Sequence, residues 1–148
     1  MRRLFLFCPL IWVISCAPKP TPPNLLLITL DTFRADRLAA YGGPPGLAPG
    51  MNRWAEEGFI FADAASPVPL TLPAHASILT GLYPPRHGAR DNGNPPVSQS
   101  VDTLAEVLKR NEYQTGAVIS SFVLSRRFGL SQGFDDYNDR LEEGEDLP

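Results

Sequence analysis

The run Asn24-Leu25-Leu26-Leu27-Ile28-Thr29-Leu30, which ends on Asp31, decides the fold class. A continuous apolar run, as opposed to an alternating one, is the pattern of a strand buried on both faces, and parallel sheets produce such strands. Working outward, Met51 to Glu57 has a helical pattern closed by Gly58, and Phe59-Ile60-Phe61-Ala62 reads as the next strand. Pro73 to Thr80 suits a helix that stops at Gly81. Val101, Leu104, Ala105 and Leu108 fall at i, i+3, i+4 and i+7, the spacing of one helix face, and Thr115 to Ser120 follows as a further strand. Strand, helix, strand, two helices and a strand predict an α/β fold with a mainly parallel central sheet flanked by helices. No internal repeat interrupts this order.

Composition narrows the function classes. The chain has 148 residues, Lys+Arg 13, Asp+Glu 16 and a net charge of -3, with no basic run to grip a nucleic-acid backbone. Hydrophobic residues make up 43%, enough for one modest core, and no apolar stretch reaches the roughly 20 residues of a membrane-spanning helix. Seven of the 16 acidic residues lie in 135–148, a concentration that reads as a solvated loop.

The first residues form an address. Met1-Arg2-Arg3 is a positive start, Leu4 to Ile14 a short apolar core, and Val13-Ile14-Ser15-Cys16 resembles the lipobox of a bacterial lipoprotein. That resemblance implies a signal peptide over 1–15, lipid on Cys16 and a Pro-rich tether over 16–23. It places the protein at the bacterial cell envelope, anchored to the membrane and facing the periplasm or the exterior. Cys8 leaves with the leader, so the body has no cysteine for a disulfide or a thiolate metal site.

Two polar residues stand where chemistry would sit. Ligands bind beyond the carboxyl ends of strands in an open parallel sheet, and Asp31 follows the buried run directly. Its carboxylate suits a divalent cation, although a strand-end Asp also serves as a cap or turn residue. Thr71 precedes the helix that carries Pro73 in its first turn. Its hydroxyl is read either as a helix N-cap or, beside a metal that lowers its pKa, as a nucleophile.

These residues carry a resemblance. The segment LITLDTFRADR over 27–37, followed by Tyr41-Gly42, is similar to the opening metal-binding segment of the sulfatase family. The segment TLPAHASILTGLYPPRHG over 71–88 resembles that family's nucleophile helix, and TLAEVL (103–108) and QGFD (132–135) match later landmarks in order. The resemblance implies the N-terminal portion of an alkaline-phosphatase-like sandwich over 24–148, truncated at its C-terminus. It implies hydrolysis of a small-molecule or glycan sulfate or phosphate ester at a metal-bound nucleophile. By position Thr71 is the attacking group, Asp31 and Thr71 hold a divalent zinc, calcium or manganese ion, and His75 and Arg90 are candidate contacts for the anion.

Three departures bear on the reaction. Sulfatases typically convert Cys or Ser in a C/S-x-P-x-R motif to formylglycine, whereas this chain has Thr71 and His75 there, so formylglycine is not expected. Thr32 takes the place of a second metal-binding Asp, and Val118-Ile119-Ser120-Ser121-Phe122-Val123, with neither Lys nor His, stands where a G-K-W-H segment contacts sulfate. The T-x-P-x-H pattern is closer to nucleotide pyrophosphatase/phosphodiesterases of the same superfamily. Phosphodiester or phosphomonoester cleavage is therefore the alternative within the class. A non-catalytic surface lipoprotein that retains the fold is the alternative outside it. The 148 residues alone are expected to be inactive.

Overall fold

The computed structural model describes residues 22–93 and 95–141. The signal peptide, Cys16 and most of the tether lie outside them. The chain divides into two units, Met1–Leu30 and Asp31–Pro148. In the first, Leu25 to Leu30 form no strand, and their apolar side chains are at least half exposed. A strand exists only through its neighbours, and no strand among the described residues pairs with this run. Phe59 to Ala62 is likewise no strand: Phe59 is 98% exposed and the chain turns at Ala62-Asp63.

Four α-helices run through the second unit, α1 (Pro49–Glu57), α2 (Thr71–Thr80), α3 (Pro84–His87) and α4 (Leu104–Arg110), with short 3-10 turns between them. Two short strands, β1 (Gly116–Val118) and β2 (Asp136–Asn138), pair in parallel with Ala117 opposite Tyr137. This helical, parallel-stranded piece is the N-terminal α/β portion expected. The strand expected over 115–120 shortens to three residues.

The acidic tail required correction. Asp136 to Asn138 is not loop but β2, because Tyr137 turns inward between two exposed neighbours and its hydroxyl donates to the Leu124 carbonyl at 2.5 Å. The flanking charges are neutralised: Asp135 pairs with Lys109 at 2.5 Å and Asp139 with Arg126 at 2.8 Å. Those cations, together with backbone N–H donors from Thr115 and Arg126, hold both carboxyls down at about 2.

The core joins Leu72 and Ala76 of α2 to Ala89, Val97, Leu124, Phe128, Leu130 and Tyr137. The helix expected over Val101 to Leu108 forms as α4 but begins at Leu104, leaving Val101 ahead of it, and a reciprocal cap starts it. Thr103 Oγ1 accepts from Glu106 N–H at 3.2 Å, and the Glu106 carboxylate accepts from Thr103 N–H at 2.7 Å. Gly133 passes over this helix start with φ 87°, where an added Cβ would lie 2.8 Å from the Ala105 carbonyl carbon. Only glycine fits there.

Candidate active site

The helix α2 begins two residues earlier than its pattern suggested, at Thr71. Leu70 is therefore the N-cap and Thr71 the first helical residue, which overturns the N-cap reading of the threonine hydroxyl. Pro73 is tolerated because a first-turn amide has no carbonyl to meet within the helix. Gly81, with φ 68°, ends the helix in the left-handed conformation and its N–H donates to the Ser77 carbonyl at 2.9 Å.

Relieved of capping, the Thr71 hydroxyl points elsewhere. Thr71 Oγ1 donates to Asp31 Oδ2 at 2.9 Å across forty residues of sequence. The other carboxylate oxygen, Oδ1, accepts from Thr32 N–H at 3.1 Å. His75 lies one turn along α2, and its Nδ1–H donates to the Thr71 carbonyl at 2.8 Å, since a carbonyl can only accept. Arg90 is exposed and has no ion pair or hydrogen bond to Asp31 or Thr71 among the described residues. The structure thus brings Asp31, Thr71 and His75 to one place and leaves Arg90 out of it.

Asn92 also meets this helix start. Its Oδ1 accepts from Leu72 N–H at 2.9 Å, so a side chain twenty residues away caps the helix. With Leu72 N–H taken and Pro73 lacking one, Thr71 N–H is the first-turn amide left for an incoming anion. The signal for Asn92 in the sequence was only a polar loop, Asp91-Asn92-Gly93-Asn94, with nothing to assign its acceptor.

Deeper in the helix, Ser77 Oγ donates to the Pro73 carbonyl at 2.9 Å and accepts from His87 Nε2 at 3.0 Å. His87 is fully buried and its Nδ1 has no partner. Burial pushes its imidazole below the usual histidine range, so it sits neutral and ties α3 to α2.

A sulfatase family model matches residues 23–147, which is most of the chain. The chain belongs to the sulfatase family. This family is part of the alkaline-phosphatase-like superfamily. Among curated proteins, the chain is 32% identical to the N-acetylgalactosamine-6-sulfatase of Rattus norvegicus over 139 residues, covering 84% of this chain and 26% of that one. It is 39% identical to arylsulfatase A of Bos taurus over 116 residues, covering 72% of this chain and 23% of the relative. The steryl-sulfatase of Mus musculus shares 35% over 114 residues, 68% of this chain and 18% of its own. This member of the sulfatase family therefore spans about a quarter of the length of the relatives it matches. No solved structure matches it.

For the divalent ion that the sulfatase family implies, the donors present match part of a site. Asp31 Oδ2 and Thr71 Oγ1, 2.9 Å apart, are the hard oxygen donors such a cation takes. Among the described residues no three His, Cys, Asp or Glu side chains cluster as a full ligand set. No described helix is long and apolar enough to cross a membrane.

Proposed function

We propose that this protein is a hydrolase of sulfate or phosphate esters in which Thr71 is the nucleophile and Asp31 its partner. One observation carries the reading. A hydroxyl at the first position of a helix is hydrogen-bonded at 2.9 Å to a carboxylate forty residues away, on the segment that resembles the family's metal-binding opening. The chain's similarity to named sulfatases supports sulfuric ester cleavage.

Asp31 and Thr71 would hold a divalent cation, which when bound supplies Lewis acidity and lowers the pKa of a nearby hydroxyl. Thr71 Oγ attacks sulfur or phosphorus, a Thr71 ester forms, and the alcohol of the substrate leaves. Asp31 Oδ2 accepts the Thr71 hydrogen bond, so it is the group that would take the threonine proton as the oxygen attacks, and that proton leaves with the departing alcohol. Water then cleaves the Thr71 ester. The Thr71 amide is positioned for charge that develops on the transferred group's outer oxygens. Asn92, held by Leu72 N–H at the same helix end, adds the two N–H donors of its side-chain amide.

A specific observation favours phosphorus over sulfur. The residue at the head of α2 is an unmodified threonine, which cannot yield the formylglycine that sulfatases build from Cys or Ser, and the body contains no cysteine. A lipid on Cys16, inferred from the lipobox-like segment, would tether this activity to the cell envelope.

The test uses the full-length enzyme with an added divalent metal, on an aryl sulfate and an aryl phosphodiester. Thr71→Ala should reduce turnover of the preferred ester by about 10³-fold or more. Near-normal turnover by Thr71→Ala would refute the nucleophile, and the preferred substrate decides between sulfur and phosphorus.

A further inference from the structure

Thr32, the residue beside the proposed site, is strained. Its φ is 58°, in the left-handed region where the Cβ of an L-residue crowds its own backbone, and a β-branched side chain crowds it most. The other described non-glycine residue with positive φ is Glu112, which follows the C-terminal cap of α4, where a left-handed residue is ordinary. Nothing in the local sequence asks for threonine here. Glycine or asparagine would adopt this backbone with less crowding. A conformation held at such a cost persists where its surroundings determine it, and such residues gather at functional sites.

The surroundings are visible. The Thr32 N–H meets Asp31 Oδ1 at 3.1 Å, and Thr71 Oγ1 meets Oδ2 of the same carboxylate at 2.9 Å. Both oxygens of an exposed aspartate are therefore held by donors on opposite sides, which stops the carboxylate turning about its own axis. We propose that Thr32 is a positioning residue for the ester-cleaving reaction: its confined left-handed backbone locks the Asp31 carboxylate so that one oxygen always faces Thr71. The inference rests on the Thr71–Asp31 reading of the site. It assigns position 32 a backbone role where the family pattern has a second carboxylate.

Glycine at this position would remove the crowding and also release the backbone to other conformations. Stability and catalysis should then move in opposite directions, which a merely structural residue would not produce. Thr32→Gly and Thr32→Asn are made in the full-length enzyme beside Thr71→Ala, and Tm, kcat and KM are measured on the preferred aryl ester. Thr32→Gly should melt a few degrees higher, with kcat down about tenfold and KM little changed. Thr32→Asn, which tolerates the left-handed region and keeps a side chain to confine it, should recover most of kcat. An unchanged or lower Tm for Thr32→Gly overturns the strain, and an unchanged kcat overturns the positioning. Thr71→Ala keeps the two readings apart. If it retains turnover, the site itself falls. If it abolishes turnover while Thr32→Gly stays fully active, only the role of Thr32 falls.

Discussion

Replacing Asn92 by alanine removes the outside cap of the helix that carries Thr71. Leu72 is fully buried, so its N–H, now met by Asn92 Oδ1 at 2.9 Å, would be left without a protein partner. A lost helix cap costs about 1 kcal/mol and a buried donor left unsatisfied about 1–3 kcal/mol. The Asn92 side chain is itself half-buried, so relaxation and water entry recover a part, and a net loss of about 2 kcal/mol follows. For a domain of this size that is a fall in Tm of roughly 4–8 °C. The assay is thermal and urea unfolding of the full-length chain followed by circular dichroism, for Asn92→Ala and Asn92→Asp together. Aspartate keeps an acceptor and adds a negative charge at the positive end of the helix, so it should restore most of the loss. A cost below about 0.5 kcal/mol for Asn92→Ala, or an Asn92→Asp no more stable than Asn92→Ala, would refute the capping argument.

Two further outcomes follow from the geometry. His87 is buried neutral with its folded pKa below the unfolded value, so the unfolded chain takes up a proton first as the pH drops. Stability should be full above about pH 6.5 and decline below it towards the folded value. Asp135 and Asp139, held at about 2, add a second loss that begins below about pH 3.9 and runs down through their folded values. Urea midpoints measured from pH 8 to 2 should show both steps, and a midpoint constant between pH 7 and 5 would contradict the account of His87. Gly133→Ala should destabilise by about 2 kcal/mol or more, because the new Cβ meets the backbone of Ala105 and Glu106 and the residue sits at φ 87°. Denaturant unfolding that shows no loss would mean the chain yields there freely.

The helices were legible; of the strands expected from residue type, only the one over 115–120 formed, shortened to Gly116–Val118. The glycines after residues 57 and 80 marked the two helix ends well, because the stop signal sits in the same stretch as the pattern it ends. The starts at Pro49 and Thr71 were less legible, because prolines inside a first turn look like breaks in a pattern. Leu25 to Leu30 and Phe59 to Ala62 look like strands by residue type, yet neither finds a partner among the described residues. The reverse happened at Asp136 to Asn138. Its charges read as a solvated loop, and the partners that neutralise Asp135 and Asp139 lie well away, at Lys109 and Arg126. In the candidate site the residue types of Asp31 and Thr71 were legible through motif resemblance. That Thr71 is helical, and that Asn92 does the capping, was not.

From its residues alone, this protein declared its family, its three longer helices and the two side chains on which a reaction could turn. A helix closes its hydrogen bonds within four residues, and a motif is itself a local string, so both survive being read in one dimension. Only the folded chain decided what each polar group meets: Thr71 with Asp31, Leu72 with Asn92, Ala117 beside Tyr137, Asp135 with Lys109. Those contacts join residues far apart in sequence, and which donor finds which acceptor depends on the loops and core that bring them together.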